Sequence, residues 1–89
     1  MNSSCTEKFW ELFAQVPPHV QKQAEVAYAH FKQDTRYPGL HFKCINQQKS
    51  IYSARVSIRY RVLGRMIENE IIWFWIGPHT EYERIISDL

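Results

Sequence analysis

The sequence predicts an α+β domain in which an N-terminal α-hairpin packs on a small antiparallel sheet of three to four strands and a short C-terminal helix closes the chain. Three stretches predict it. Apolar residues recur at helical intervals on both sides of Pro17-Pro18. Strict alternation runs from Tyr52 to Val62. Last, Ile71-Ile72-Trp73-Phe74-Trp75-Ile76 is an unbroken apolar run that stops at Gly77-Pro78.

Ser4-Cys5-Thr6-Glu7 has the Ser-x-x-Glu form of a capping box, and Phe9, Trp10, Leu12, Phe13 and Val16 follow at helical spacing. This places the first helix from about Thr6 to Gln15. Pro17 disfavours helical geometry at Val16, while Pro18 suits the first turn of a second helix. Val20, Ala24, Ala27, Tyr28 and Phe31 then make one apolar stripe up to Asp34, with Lys22, Gln23, Glu25 and Lys32 on the wet side.

Tyr37-Pro38-Gly39 signals a turn, after which Leu40, Phe42 and Cys44 alternate with His41 and Lys43 as a strand. By that alternation Cys44 faces inward. Asn46-Gln47-Gln48-Lys49-Ser50 breaks the pattern. Tyr52, Ala54, Val56, Ile58, Tyr60 and Val62 then form an apolar face, and Ser53, Arg55, Ser57, Arg59 and Arg61 a cationic one. Most strands are nearer six residues, so the stretch reads as two strands joined near Ser57-Ile58-Arg59. The run from Ile71 to Ile76 satisfies its side chains only by burial on both faces, which makes it the central strand. Thr80-x-x-Glu83 has the form of a second capping box, and Tyr82, Ile85, Ile86 and Leu89 supply the inward side of the closing helix. All helices are expected on one face of the sheet.

At 89 residues the chain is read as one domain over residues 1–89. With 45% hydrophobic and 15% aromatic residues, packing can hold it without a metal or a disulfide framework. Cys5 and Cys44 are read as reduced thiols, in a cytoplasmic protein. No apolar run approaches the roughly 18 residues of a membrane span. Metal ligation is not expected, because His19, His30, His41 and His79 form no close pairing with each other or with either cysteine. No glycine-rich phosphate loop is present among three isolated glycines. Eleven Lys and Arg against nine Asp and Glu give a formal charge of +2, so any attraction to nucleic acid depends on where the cations lie.

The strand bearing Tyr60-Arg61-Val62, the apolar final strand and the ending Ile76-Gly77-Pro78-His79-Thr80-Glu81-Tyr82 together resemble the RelE/ParE superfamily of toxins from type II toxin-antitoxin systems. The α-hairpin followed by an antiparallel sheet agrees. The resemblance implies a metal-independent endoribonuclease that inhibits translation by cutting mRNA, in many members within the ribosomal A site, and that is restrained by a cognate antitoxin. A gyrase-poisoning branch shares the fold without the nuclease residues, and a non-catalytic interaction module of the same fold is the third possibility. By resemblance, Arg61 matches the family's Tyr-Arg arginine, His79 a histidine or arginine position, and Tyr82 the C-terminal tyrosine, while Arg55 and Arg59 match basic positions loosely.

Metal-free RNA cleavage needs a base for the 2'-hydroxyl, a cation for the phosphorane charge and an acid for the leaving 5'-oxygen. His79 suits acid or base, and the planar fork of Arg61 suits phosphate. Tyr82 would hydrogen-bond phosphate or stack on a base. Lys43, Arg55 and Arg59 would hold the RNA backbone, since single-stranded RNA fits an open cationic face. No cofactor is expected. The bland alternatives are a loop histidine, a solvated arginine face and a core tyrosine. The Trp73-Phe74-Trp75 cluster is read as core.

Overall fold

A computed structural model describes residues 1–89. In chain order its elements are β1 (Asn2–Cys5), α1 (Glu7–Phe13), α2 (Pro18–Gln33), β2 (Lys43–Asn46), β3 (Ile51–Arg55), β4 (Tyr60–Ile67), β5 (Glu70–Pro78) and α3 (His79–Ser87). The strands form one sheet in the order β1-β5-β4-β3-β2. Pairing is antiparallel except between β1 and β5, which run parallel. No helix is long and apolar enough to cross a membrane.

β5 is an interior strand, as its composition demands, and Ile71, Trp73 and Ile76 are buried. The pairing slips where Leu63 faces Trp75 while Gly64 faces Trp73, so Phe74 has no partner. This bulge turns the side chains that follow. Ile71 and Trp73 face the helical hairpin, Trp75 faces the other side, and Ile76 returns to the hairpin side beside Val62 and Ala54. Gly64 makes room for that arrangement: a Cβ there would stand 2.7 Å from the Trp73 ring and 2.9 Å from the Ile71 side chain.

The hairpin-side core joins Phe9 of α1 and Phe31 of α2 to Leu40, Ala54, Ile71, Trp73 and Ile76. Phe31 meets Trp73 edge to face at 5.5 Å and Phe42 at 5.0 Å, geometries that aromatic quadrupoles favour. α2 occupies the expected span, with Pro18 at its first position.

Several expectations are corrected. The sheet has five strands, because the polar Asn2–Cys5 segment pairs with the otherwise open edge of β5. Ser4 therefore caps nothing and donates to the Glu70 carboxylate at 2.9 Å. Thr6 caps α1, its hydroxyl accepting from the Phe9 N–H at 3.1 Å. α1 ends at Phe13, short of Gln15. Thr80 is no cap either, since α3 starts at His79 and Pro78 holds the cap position without a side-chain bond.

β2 starts at Lys43, three residues later than Leu40, because His41 has a φ of 49° and interrupts the alternation. Cys44 is exposed, since β2 is the outer edge strand and nothing covers it there. The Tyr52–Val62 alternation does divide into β3 and β4, but Ile58, at the link, is 76% exposed. α3 lies across the face opposite α1 and α2, where the Tyr82 hydroxyl reaches Ser53 at 3.2 Å. Helices thus cover both faces.

Candidate active site

Residues directly opposite one another in an antiparallel pair project from the same face. Lys43, Ser53, Leu63 and Trp75 make one such row across four strands, and Arg55, Arg61 and Gly77 make the next. Both rows lie on the α3 side, because their neighbours in sequence, Ala54 and Val62, enter the hairpin-side core. The alternation read from sequence thus places Lys43, Arg55 and Arg61 on one face.

Arg61 is held by its own hairpin. Its Nη1 donates to the carbonyl oxygens of Ser57 at 2.7 Å, Ile58 at 3.1 Å and Tyr60 at 3.1 Å. These contacts fix the plane of the guanidinium and spend one nitrogen, leaving Nη2 and Nε without a protein partner and free for an incoming anion. Partial burial lowers the pKa of Arg61 from its ordinary value, nearby Arg55 lowers it further, and Tyr82 raises it. An arginine stays protonated regardless. The physical content is that two guanidinium groups and a phenol share a small region and that negative charge would relieve the repulsion there. Arg55 has a buried Nε with no hydrogen-bond partner.

His79 is exposed and opens α3 two residues beyond Gly77, the register partner of Arg61. Its N–H donates to the Arg59 carbonyl at 2.7 Å, so the helix start is tied to the end of the β3–β4 link. Arg59 is exposed at that link. Tyr82, one helical turn after His79, is half-buried and donates to the Ser53 hydroxyl. Lys43, opposite Ser53, is exposed at the outer edge. The structure therefore brings Arg55, Arg61 and Tyr82 together, with Lys43 in the neighbouring row and His79 and Arg59 joined through the backbone at the rim.

Two contributors were missed from sequence. Ser53 is only 3% exposed and receives Tyr82, although alternation had assigned it to an open cationic face. Trp75 is the other: its ring leans over Gly77, where a Cβ would stand 2.5 Å from it, and so floors the surface beside Arg61. The Trp-x-Gly spacing, two residues apart on one strand face, carried that signal. No three His, Cys, Asp or Glu side chains converge. Burial pushes the Cys5 thiol up from its ordinary value, which keeps it a poor nucleophile.

The ParE-like toxin domain family matches residues 18–84. The chain belongs to that family. A search among curated protein sequences finds no match. Among solved structures, the RelE fold in the RelB–RelE antitoxin–toxin complex of Methanococcus jannaschii is similar with a TM-score of 0.72 at 16% identity, over 91% of this chain and 95% of that one. YafQ from E. coli strain BL21(DE3) gives 0.70 at 7% identity, over 91% and 96%. The YoeB/ParE toxin of Agrobacterium tumefaciens gives 0.65 at 11% identity, over 89% and 99%. At such identities the likeness is one of fold, and this ParE-like domain has the RelE/ParE toxin architecture.

Proposed function

We propose that this chain is the toxin of a type II toxin-antitoxin pair, a single domain over residues 1–89, and a metal-independent endoribonuclease acting on mRNA. The observation that carries the reading is the oriented Arg61, whose unspent Nη2 and Nε open beside Arg55 and Tyr82 on one sheet face. A phosphodiester placed there would supply the negative charge that the face lacks.

In this reading a base removes the 2'-hydroxyl proton, the 2'-oxygen attacks phosphorus, and the 5'-oxygen leaves with a proton from an acid. His79 at the exposed rim supplies one of these transfers. Arg61 offsets charge on the phosphorane, and Arg55 adds to the field. The Tyr82 hydroxyl already donates to Ser53, so its contribution to substrate is the ring, as a stacking surface, more than a phosphate bond. Lys43 and Arg59 hold flanking phosphates. The partner is a cognate antitoxin, as in the complex of Methanococcus jannaschii. A mainly apolar groove of about 380 Å³ between α1, α2 and β1, where Trp10 is 54% exposed, is the surface we assign to it.

The test is induction without antitoxin, with mRNA ends mapped in the native protein and in Arg61→Ala and His79→Ala. Cleavage that survives chelator and is lost in both variants is the expected result. Cleavage that persists in both would overturn the assignment. A second reading, non-enzymatic gyrase poisoning, is favoured by the ParE-like family match. Intact mRNA together with stabilised gyrase-cleaved DNA would establish it instead.

A further inference from the structure

Beyond Arg55 the end of β3 opens onto the α2 side of the sheet, the face opposite the Arg61 row. Around the open end of β3 lies a second groove, of about 490 Å³, between α2 and the turn at Tyr37–Leu40. Lys22, Val26, His30, Tyr37 and Arg55 are among its walls, and no aspartate or glutamate lines it. His30 and Tyr37 stack face to face, with ring centroids 3.8 Å apart and planes 8° from parallel. Tyr37 is still 40% exposed, so part of the pair remains open to solvent. The Arg55 N–H donates to the Leu40 carbonyl at 2.6 Å, which ties the turn to the end of β3.

We propose that this groove binds single-stranded RNA flanking the strand that crosses the Arg61 face, with a base stacked on the Tyr37–His30 pair and a phosphate held by Lys22 and Arg55. It rests on the RNA-binding part of the preceding reading and extends it to a second surface. Three features combine to favour this ligand. An aromatic pair accepts any base because every base has a π-face. The absence of carboxylates leaves the cations uncompensated, which suits a backbone carrying one charge per nucleotide. Arg55 links the two surfaces: it lies opposite Arg61 in the sheet and is among the residues that wall the groove. A strand rounding the end of β3 from one surface to the other meets Arg55 between them, and a flexible single strand makes that turn more readily than a duplex.

The experiment measures the affinity of the full chain for labelled 2'-O-methyl oligonucleotides, which lack the nucleophile and cannot be cut. A trinucleotide spans only the Arg61 face, and an oligomer of about eight nucleotides reaches the groove, within single-strand site sizes of roughly 4–16. Lys22→Ala, on the exposed side of α2, is expected to weaken the longer oligomer alone and to reduce its log–log salt slope by about 0.7, the loss of one phosphate contact. Tyr37→Ala should weaken it by about tenfold, while Tyr37→Phe, which keeps the ring, should bind as the native chain does.

Equal affinity for both lengths would overturn the proposal, as would an unchanged salt slope in Lys22→Ala. So would a Lys22→Ala variant that loses affinity only for the antitoxin, which would make the groove a protein contact. The two readings fail separately. Length-dependent, Lys22-dependent binding by a protein that leaves ordinary RNA intact removes the nuclease and keeps the groove. Cleavage by a protein that binds both lengths alike does the reverse.

Discussion

Replacing Tyr82 by Phe separates a structural tyrosine from a catalytic one. The change removes only the hydroxyl that donates to Ser53 at 3.2 Å. That distance exceeds the usual O–H···O separation of about 2.7–2.8 Å, so the bond belongs near the low end of the ~0.5–1.5 kcal/mol typical of a net hydrogen bond. Ser53, 3% exposed, is then left with an unpaired hydroxyl, which adds a desolvation cost. The sum is about 1 kcal/mol. For a domain of this size that lowers the melting temperature by roughly 4–8 °C.

Thermal and urea unfolding of Tyr82→Phe, Ser53→Ala and the double variant measure it. The double variant strands no hydroxyl and should cost less than the two single changes added, with a coupling of about 0.5–1 kcal/mol. Strict additivity, or a Tyr82→Phe protein that melts with the native one, would refute the contact and with it the placement of α3 on this face. RNA cleavage by the folded Tyr82→Phe protein completes the comparison. Retained cleavage assigns the residue to holding α3 and to stacking, and abolished cleavage assigns the hydroxyl to the chemistry.

Two further predictions concern local structure. Thr6→Ala should destabilise the protein by about 1 kcal/mol as the α1 cap is lost, whereas Ser4→Ala, losing one exposed bond to Glu70, should stay within about 0.5 kcal/mol; urea midpoints of the reverse order would restore Ser4 as the cap. Gly64→Ala places a methyl 2.7 Å from the Trp73 ring and against fully buried Ile71, an overpacking cost of about 1–3 kcal/mol, and Ile71→Val in the same chain should recover part of it by calorimetry.

Much of the fold was legible in the residues because it follows from local periodicity. The span of α2, the division of Tyr52–Val62 into two strands, the interior place of the strand that holds Ile71–Ile76 and the helix beyond Gly77-Pro78 all depend on residues close in sequence, whose spacing sets the face they present. Tyr28 of the α2 stripe is nonetheless exposed, and only Ile71, Trp73 and Ile76 of the apolar run are buried. The same periodicity placed Arg55 and Arg61 side by side. It failed where a distant partner decides the local state. Asn2–Cys5 has little strand propensity and is a strand only because β5 offers an open edge. Cys44 alternates correctly yet is exposed because β2 has no neighbour beyond it.

The site shows the same division. Sequence by itself determined the inventory: cations at Lys43, Arg55 and Arg61 in strands of alternating pattern, a histidine and a tyrosine three residues apart, and an apolar strand ending in Gly77-Pro78. Only tertiary structure decided what that inventory became. It folded α3 onto the cationic face, gave Tyr82 to Ser53, turned Trp75 across the Phe74 bulge to floor the surface, and spent Arg61 Nη1 on the carbonyls of its own hairpin. The reason is physical: side-chain periodicity is a property of the backbone of one strand, whereas burial, hydrogen-bond partners and free donors are properties of whatever the rest of the chain brings against it.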